Sequence, residues 1–414
     1  MDLLEKIDST ALKMEKEQQT LRDHIQHLMR INVTDAYINE GVDRLIYNHS
    51  ESKATLRKVF GLTEPVLNNV LAECYEKELI GDPIIQGRTH LYSRYDIESI
   101  SNHIGFEKYS DKYEPAAIVI QSPKGGVGKS TTTLVLAAAS ALDLSLNAKV
   151  IILDLDPQGT SPACLINSAK EDSLYLTTVD FILSDYEPDG NVSALIEQGY
   201  EKSDIIKNAA FSTHLPNLDV LPAFPADERL VDTYWELPQD ERDNLISKLA
   251  DEVIPALKEK YDLIIIDTPP QSSPLMWSAL NASEFSIIPV IPHEFDFAST
   301  LNFTKTLPRT VLSLPSQGKN LRELKYVLSN YDPESKESVN VEDKMIRTTG
   351  DLLIDYPIYQ SELFVAASRL NRTIFDIKKS ERICSSKQFD IAMDSSTKFY
   401  KKFIKLVKKN FVKG

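Results

Sequence analysis

One stretch constrains this chain more than any other: Lys124-Gly125-Gly126-Val127-Gly128-Lys129-Ser130-Thr131, preceded by an apolar run, Ala116 to Gln121, and followed by an alanine- and leucine-rich segment. The pattern predicts a strand, a glycine loop and a helix. Three glycines within four positions let the backbone turn without Cβ clashes and bring successive N–H groups close to a ligand's phosphates. Those donors sit at a helix N-terminus, where the dipole also favours an anion. In a loop of this kind the lysine, Lys129, reaches the terminal phosphates and the next hydroxyl, Ser130, meets Mg²⁺. The usual first glycine, six residues before the lysine, is replaced by Pro123, and a second lysine, Lys124, opens the loop.

Two further runs repeat the logic of an apolar strand ending in carboxylates. Lys149 to Leu153 leads to Asp154-Leu155-Asp156-Pro157-Gln158-Gly159, and Tyr261 to Ile266 leads to Asp267-Thr268-Pro269-Pro270. Strands this apolar belong in a parallel sheet covered on both faces, with ligand-binding groups at the carboxyl edge. Shorter apolar runs at Leu218 to Leu221, Phe285 to Val290 and Tyr326 to Ser329 complete the alternation of an α/β, doubly wound, mostly parallel sheet.

Together with these strand-end aspartates, KGGVGKST resembles the deviant Walker A loop of the ParA/MinD-type ATPases. The resemblance implies that Lys124 crosses to the nucleotide of the other subunit in a homodimer, and that Gly125, Gly126, Val127, Gly128, Lys129, Ser130 and Thr131 hold ATP. It makes Asp156 the positioner of attacking water, places Asp154 close to the metal, and gives Asp267 the Walker B role of holding Mg²⁺ through water. Lys124, Lys129 and Asp156 are thus the catalytic candidates, and Ser130, Asp154 and Asp267 the metal candidates. Asn330, at the end of a strand, is either an adenine contact or an ordinary turn asparagine. No Asn-Lys-x-Asp guanine reader occurs in the chain, so ATP is preferred over GTP.

At 414 residues with 42% hydrophobic content, the chain can bury an α/β core and a second domain. Its formal charge of −15 confines any DNA contact to local patches. The cysteines Cys74, Cys164 and Cys384 lack metal spacing and suit a reducing cytoplasm. Neither a signal peptide nor an apolar run approaching the roughly 18 residues of a membrane span is expected.

Leu4, Ile7, Ala11, Met14, Gln18, Leu21, Ile25 and Leu28 keep the rhythm of a coiled-coil seam, so residues 1–32 are expected to form a dimerisation helix; an amphipathic helix lying on its own domain is the alternative. Residues 33–105 read as a winged helix-turn-helix domain. Thr34 caps a helix toward Asn48. Ala54, Leu56, Val59 and Phe60 line a first helix, Gly61 breaks it, and Val66, Leu67, Val70, Leu71 and Tyr75 line a second, followed by two short strands about Gly87. Its passage through Arg88, Tyr92 and Asp96 resembles such domains in the larger ParA proteins. The second helix is acidic. DNA contact would therefore fall to Lys53, Arg57, Lys58, Arg88 and Arg94 on the backbone and to Asn68 and Asn69 at base edges; a structural or protein-binding domain is the competing reading. Residues 106–115 read as a linker and 116–414 as the ATPase domain.

The final third adds Arg369 and Arg372, and a helix from about Asp390 carries Lys401, Lys402, Lys405, Lys408 and Lys409 against Phe399, Phe403, Leu406, Val407 and Phe411. Its apolar face either docks on the domain and leaves the lysines to DNA phosphates, or anchors in a membrane as in MinD proteins, or the helix is simply solvated. Docking with DNA contact is the reading adopted, without a membrane. The resemblance implies an ATPase for DNA partition, nucleoid-associated in the cytoplasm, whose ATP-bound dimer binds DNA non-specifically. A ParB-type centromere-binding partner would stimulate hydrolysis, and the N-terminal domain would repress its own operon. The rivals are a membrane-cycling regulator of the MinD kind and a nucleotide-switched repressor without turnover.

Overall fold

The computed structural model describes residues 5–14, 16–17, 20, 43–158, 165–166 and 175–414. The chain divides into two units, Met1–Phe106 and Glu107–Gly414.

In the first unit residues 5–14 are helical, with Ile7 and Met14 exposed. Of the remaining seam positions, Leu4, Gln18, Leu21, Ile25 and Leu28 lie outside the described residues, as does Thr34. After a short helix Arg44–His49, α1 (Lys53–Phe60) opens on Ser52, whose side chain accepts from the Thr55 N–H, and ends on Gly61 at φ 64°. That left-handed residue is a turn any other side chain would strain. α2 (Glu64–Glu76) follows with proline in its first turn. Strands β1 (Glu51–Ser52), β2 (Ile84–Gln86) and β3 (Thr89–Tyr92) form an antiparallel sheet in the order β1-β3-β2. α3 (Arg94–His103) closes the unit with a Ser93/Asp96 capping box. The buried stripe of α2 is Leu67, Leu71 and Cys74, whereas Val66 and Tyr75 are exposed. The expected inner face was therefore too broad. The buried side chains follow one i, i+4, i+7 line, and Val66 and Tyr75 lie to either side of it.

The second unit is built on seven strands in the order β10-β9-β4-β8-β5-β7-β6. These are β4 (Ala116–Ile120), β5 (Val150–Asp154), β6 (Phe211–Ser212), β7 (Leu218–Leu221), β8 (Leu263–Asp267), β9 (Phe285–Val290) and β10 (Glu323–Leu328). All pairs are parallel except β6 with β7 at one edge. Every residue of β4, β5, β8 and β9 is buried, because helices cover both faces. The order sets β8 between β4 and β5. The loop leaving β4 and the aspartates ending β5 and β8 thereby share one edge.

Residues 107–115 belong to this unit and do not form the expected linker. Residues Tyr109–Lys112 are helical, Tyr109 is buried in the same core as β4, and the Glu114 N–H donates to the Phe411 carbonyl at 2.7 Å. Two tyrosines in a segment otherwise polar account for the difference: Tyr109 gains more by packing on the sheet than by solvation.

The C-terminal helix, Ser386–Asn410, starts earlier than expected, on an N-cap at Ser385, and includes Asp390 and Asp394. Phe399, Phe403, Val407 and Phe411 are fully buried, and Phe403 meets Phe285 of β9 with ring centroids 5.9 Å apart. The apolar face is thus docked on the sheet. Phe403→Ala is expected to lower stability by about 3–5 kcal/mol, read as the midpoint of urea unfolding with the slope unchanged; an unchanged midpoint would contradict this burial.

Candidate nucleotide and metal site

The glycine loop is shaped by its neighbours as much as by its own residues. It leaves β4 and opens α4 (Lys129–Leu142), with Gly126 at φ 74° and Gly128 at φ 85° as the N-cap. The left-handed φ of Gly128 calls for glycine, and a Cβ there would also crowd the Ser329 Cβ at 3.3 Å. Ser329, at the end of β10, donates to the Val127 carbonyl at 2.6 Å and pins the loop from the side. On the other flank, a Cβ on Gly125 would lie 3.6 Å from that of Pro270, so the Thr268-Pro269-Pro270 turn lies against the loop.

Lys129 is buried, and its ammonium donates to the Lys124 carbonyl at 3.3 Å. Burial holds its pKa below the ordinary lysine value, while Asp267 and Asp156 oppose the shift. A cation curled under the loop on a 3.3 Å carbonyl contact is placed to exchange that contact for phosphate oxygens. Ser130 and Thr131 lie at the start of α4, on the same helix end.

Asp154 and Asp267 face one another in the register of β5 and β8. Asp154 Oδ1 accepts the Asp156 N–H at 3.0 Å, and Asp156 Oδ1 accepts the Gln158 N–H at 3.1 Å, so the two carboxylates cap successive turns of one loop. Asp154 Oδ2 and both Asp267 oxygens are buried without a hydrogen bond of normal geometry. Burial drives both carboxyls up, Asp267 to about 6 and Asp154 well above the usual carboxylate range, the latter also repelled by Asp267. The Ser130 hydroxyl and Lys129 ease the shift at Asp267. A raised native value means that Asp267 favours the folded state at low pH and loses that contribution as pH rises through about 6; Asp154, also raised, acts in the same direction. A bound cation would remove the penalty. Orphaned hard oxygens beside a serine hydroxyl and a phosphate cradle fit Mg²⁺: Ser130 and Asp267 would hold it, with Asp154 nearby.

Lys124 has a partner that no motif announced. Its ammonium pairs with Asp296, a buried carboxylate in the first turn of the helix Glu294–Ser313. Lys124 itself is about half exposed. Thr268, already marked by its place after the strand ending in Asp267, donates its hydroxyl to the Ile120 carbonyl at 2.8 Å, whereas the contacts made by Asp296 and Ser329 had no sequence signal of their own. Each acts through a contact between distant segments, and only the end of an apolar strand hints at Ser329 and Thr268. Asn330 is exposed, in a left-handed conformation at φ 52° beside Ser329.

The candidate DNA residues divide sharply. Arg372 is 5% exposed and paired with Glu381 at 2.9 Å; it is a structural residue and not a phosphate contact, since withdrawing it would strand a buried carboxylate at a cost of about 3–5 kcal/mol. Arg369 is exposed. On the C-terminal helix Lys401, Lys405 and Lys409 point to solvent, whereas Lys402 pairs with Asp355 and Lys408 lies over the Tyr113 ring. In the first unit Lys53 donates to the Asn68 side chain at 3.1 Å and Arg57 pairs with Glu64. Such exposed contacts are worth about 0–1 kcal/mol and exchange easily. Lys58, Asn69 and Arg88 are exposed and Arg94 half-buried.

A family described as an AAA domain matches residues 116–314. Plasmid partition protein A of Escherichia coli is 26% identical over 275 residues, covering 64% of this chain and 66% of that protein. The chromosome partitioning protein ParA of Myxococcus xanthus is 30% identical over 207 residues, 49% of this chain and 60% of that one. The alignments thus span less than two thirds of either relative's length. A solved structure described as "Partition Protein" shares the fold over 98% of both chains, with a TM-score of 0.61 at 17% identity. Taken with the two-lysine loop and the paired aspartates beneath it, these likenesses make the second unit similar to the ParA-type partition ATPases.

Proposed function

We propose that the protein hydrolyses ATP with Mg²⁺ to drive the partition of plasmid or chromosomal DNA. The observation that carries this reading is the joint presence of a glycine loop with two lysines and a buried, mutually repelling carboxylate pair directly beneath it. Bound Mg²⁺ would neutralise phosphate charge. The chain's own residues do the rest: loop N–H groups and Lys129 hold and neutralise the β- and γ-phosphates, and Asp156, on the adjoining turn, orients a water for in-line attack. Lys124 leaves Asp296 to serve the nucleotide of a second subunit, which makes the active form a homodimer.

The ATP-bound dimer would bind duplex DNA without sequence preference through Lys401, Lys405, Lys409 and Arg369, and a ParB-type centromere-binding protein would accelerate hydrolysis. The first unit, a helix, a tight turn, a second helix and a β-hairpin, would read the operator of its own operon through Lys58, Asn69 and Arg88, with Lys53, Arg57, Asn68 and Arg94 in support. These roles place the protein on the nucleoid in the cytoplasm. A MinD-like membrane anchor is disfavoured because the phenylalanines it would insert are buried against β9. Among the described residues no helix is long and apolar enough to cross a membrane.

Lys129→Ala is expected to abolish nucleotide binding together with turnover, because the loop loses its mobile cation. Unchanged affinity in an ATP titration would refute the loop's role.

Lys124→Ala should leave ATP binding intact while lowering hydrolysis by on the order of 10³-fold, by analogy with other cations supplied across an interface. Mixing it with an Asp156→Ala subunit should restore part of the activity, since one of the two shared sites is then whole. Failure to do so, with both variants folded and pairing, would argue against sharing.

Asp296→Asn frees Lys124 from its partner in the same chain. ATP-dependent dimerisation, followed by sedimentation, should therefore become tighter, and a weaker dimer would mean that Asp296 supports the paired state instead.

A further inference from the structure

The ATPase unit carries a second surface that the nucleotide site does not use, and both of the chain's two tryptophans belong to it. Helix Arg229–Glu236 supplies Tyr234 and Trp235, and helix Pro274–Ala282 supplies Trp277. Their ring centroids lie 5.0 Å (Tyr234 to Trp235), 5.6 Å (Tyr234 to Trp277) and 6.5 Å (Trp235 to Trp277) apart, all edge to face. Arg242, from helix Gln239–Lys248, spreads its guanidinium 5.3 Å from the Tyr234 centroid and 5.2 Å from that of Trp235, held there by the Leu237 and Trp235 carbonyls. Tyr234 and Trp277 pack on the core, but Trp235 remains 56% exposed. An indole left this open forgoes a large burial term, and its stacking with Arg242 shows an electrostatic setting that accepts cations.

The helical hairpin bearing this face also carries Asp232, Glu236, Asp240, Glu241 and Asp243, all exposed. Its basic residues are already committed. Arg229 is bound by Asp180, Glu187 and Asp227, Lys248 by Asp185 and Glu252, and Arg242 by the stack. The surface is therefore apolar at its centre and negative at its rim, which repels nucleic acid and anionic lipid and attracts a cationic chain. It also adjoins the loop beside the nucleotide site: the Trp277 indole N–H donates to Ser272 at 3.0 Å, in the segment that runs from Asp267 past Pro270.

We propose that this face docks a protein partner through a segment that sets an arginine or lysine beside an apolar side chain, the apolar group seated on Trp235 and the cation within the acidic rim. The inference rests on this surface alone and holds whether or not the DNA-partition reading does. Because Ser272 lies on the segment that carries Asp267 and sets Pro270 against the glycine loop, occupancy of the face and Mg·ATP should alter each other's affinity by the same factor.

The test uses the full-length protein and a short synthetic peptide of alternating arginine and leucine, with a glutamate–leucine peptide as control. Tryptophan emission reports from this face directly, since the chain has only these two indoles. The arginine peptide should produce a saturable change that the control does not. Trp235→Ala, with Trp277 left as reporter, and the triple variant Asp232→Asn, Glu236→Gln, Glu241→Gln should each weaken binding by about tenfold or more. Trp235→Ala should keep its basal ATP hydrolysis, which also shows that the variant is folded. Equal affinity in all three proteins would mean only general attraction of a cationic peptide to an acidic chain and would overturn the proposal. So would sedimentation showing that Trp235 drives self-association without peptide, since the face would then belong to a second copy.

Discussion

The structure turns on two carboxylates placed side by side where water cannot reach them. Asp154 and Asp267 end adjacent parallel strands and are 1% exposed each, so both pay desolvation and repel one another. A hydrophobic pair at these positions would stabilise the sheet more. The arrangement persists at a cost that a cation and a phosphate cradle are suited to repay. Everything nearby is arranged around that debt: Lys129 tucks beneath the loop, Ser130 faces Asp267, and Ser329 and Pro270 hold the loop from its two flanks.

The second lysine obeys a different constraint. Lys124 is held by a buried acid, and letting it go leaves Asp296 uncompensated. Its release must therefore coincide with an equal or greater gain, and the triphosphate of a second subunit is the one strong anion the proposed mechanism brings within reach. The ion pair thereby sets a threshold. A nucleotide with fewer charges would offer Lys124 less, so discrimination between ATP and ADP can arise in dimerisation even where both bind the loop.

Much of this was legible in the sequence because the relevant signals are local. The loop, the apolar strands and their terminal aspartates each lie within about ten consecutive residues, and a fully apolar strand can hardly lie anywhere but in a covered parallel sheet. Legibility failed where the decisive contact is long-range. Asp296 sits 172 residues from Lys124, in a helix whose sequence carries no catalytic pattern. Arg372 escaped for another reason, since Glu381 is only nine residues away and what the charge pattern does not show is that both side chains are buried. The supposed linker failed for the same reason: its polarity suggested a tether, but Tyr109 found a place in the core. Val66 and Tyr75 show a subtler limit, since composition indicates that a helix is amphipathic more readily than it indicates the width of the buried stripe.

Charge distribution would let one acidic chain meet both proposed partners, an anionic polymer and a cationic segment. The net charge of −15 is not spread evenly. The C-terminal helix concentrates lysines at Lys401, Lys405 and Lys409, one face of a helix whose other face is fixed by buried phenylalanines, so these charges cannot turn away from solvent. The hairpin around Trp235 concentrates the opposite sign on a different part of the ATPase unit. At physiological salt the screening length is about 8 Å, shorter than either helix, so each surface presents its own field rather than the protein's average. A patch rigidly docked at its apolar side needs no ordering when it binds, and this is why the docking of Phe399, Phe403 and Phe411 matters as much to the lysines' proposed role as the lysines do themselves.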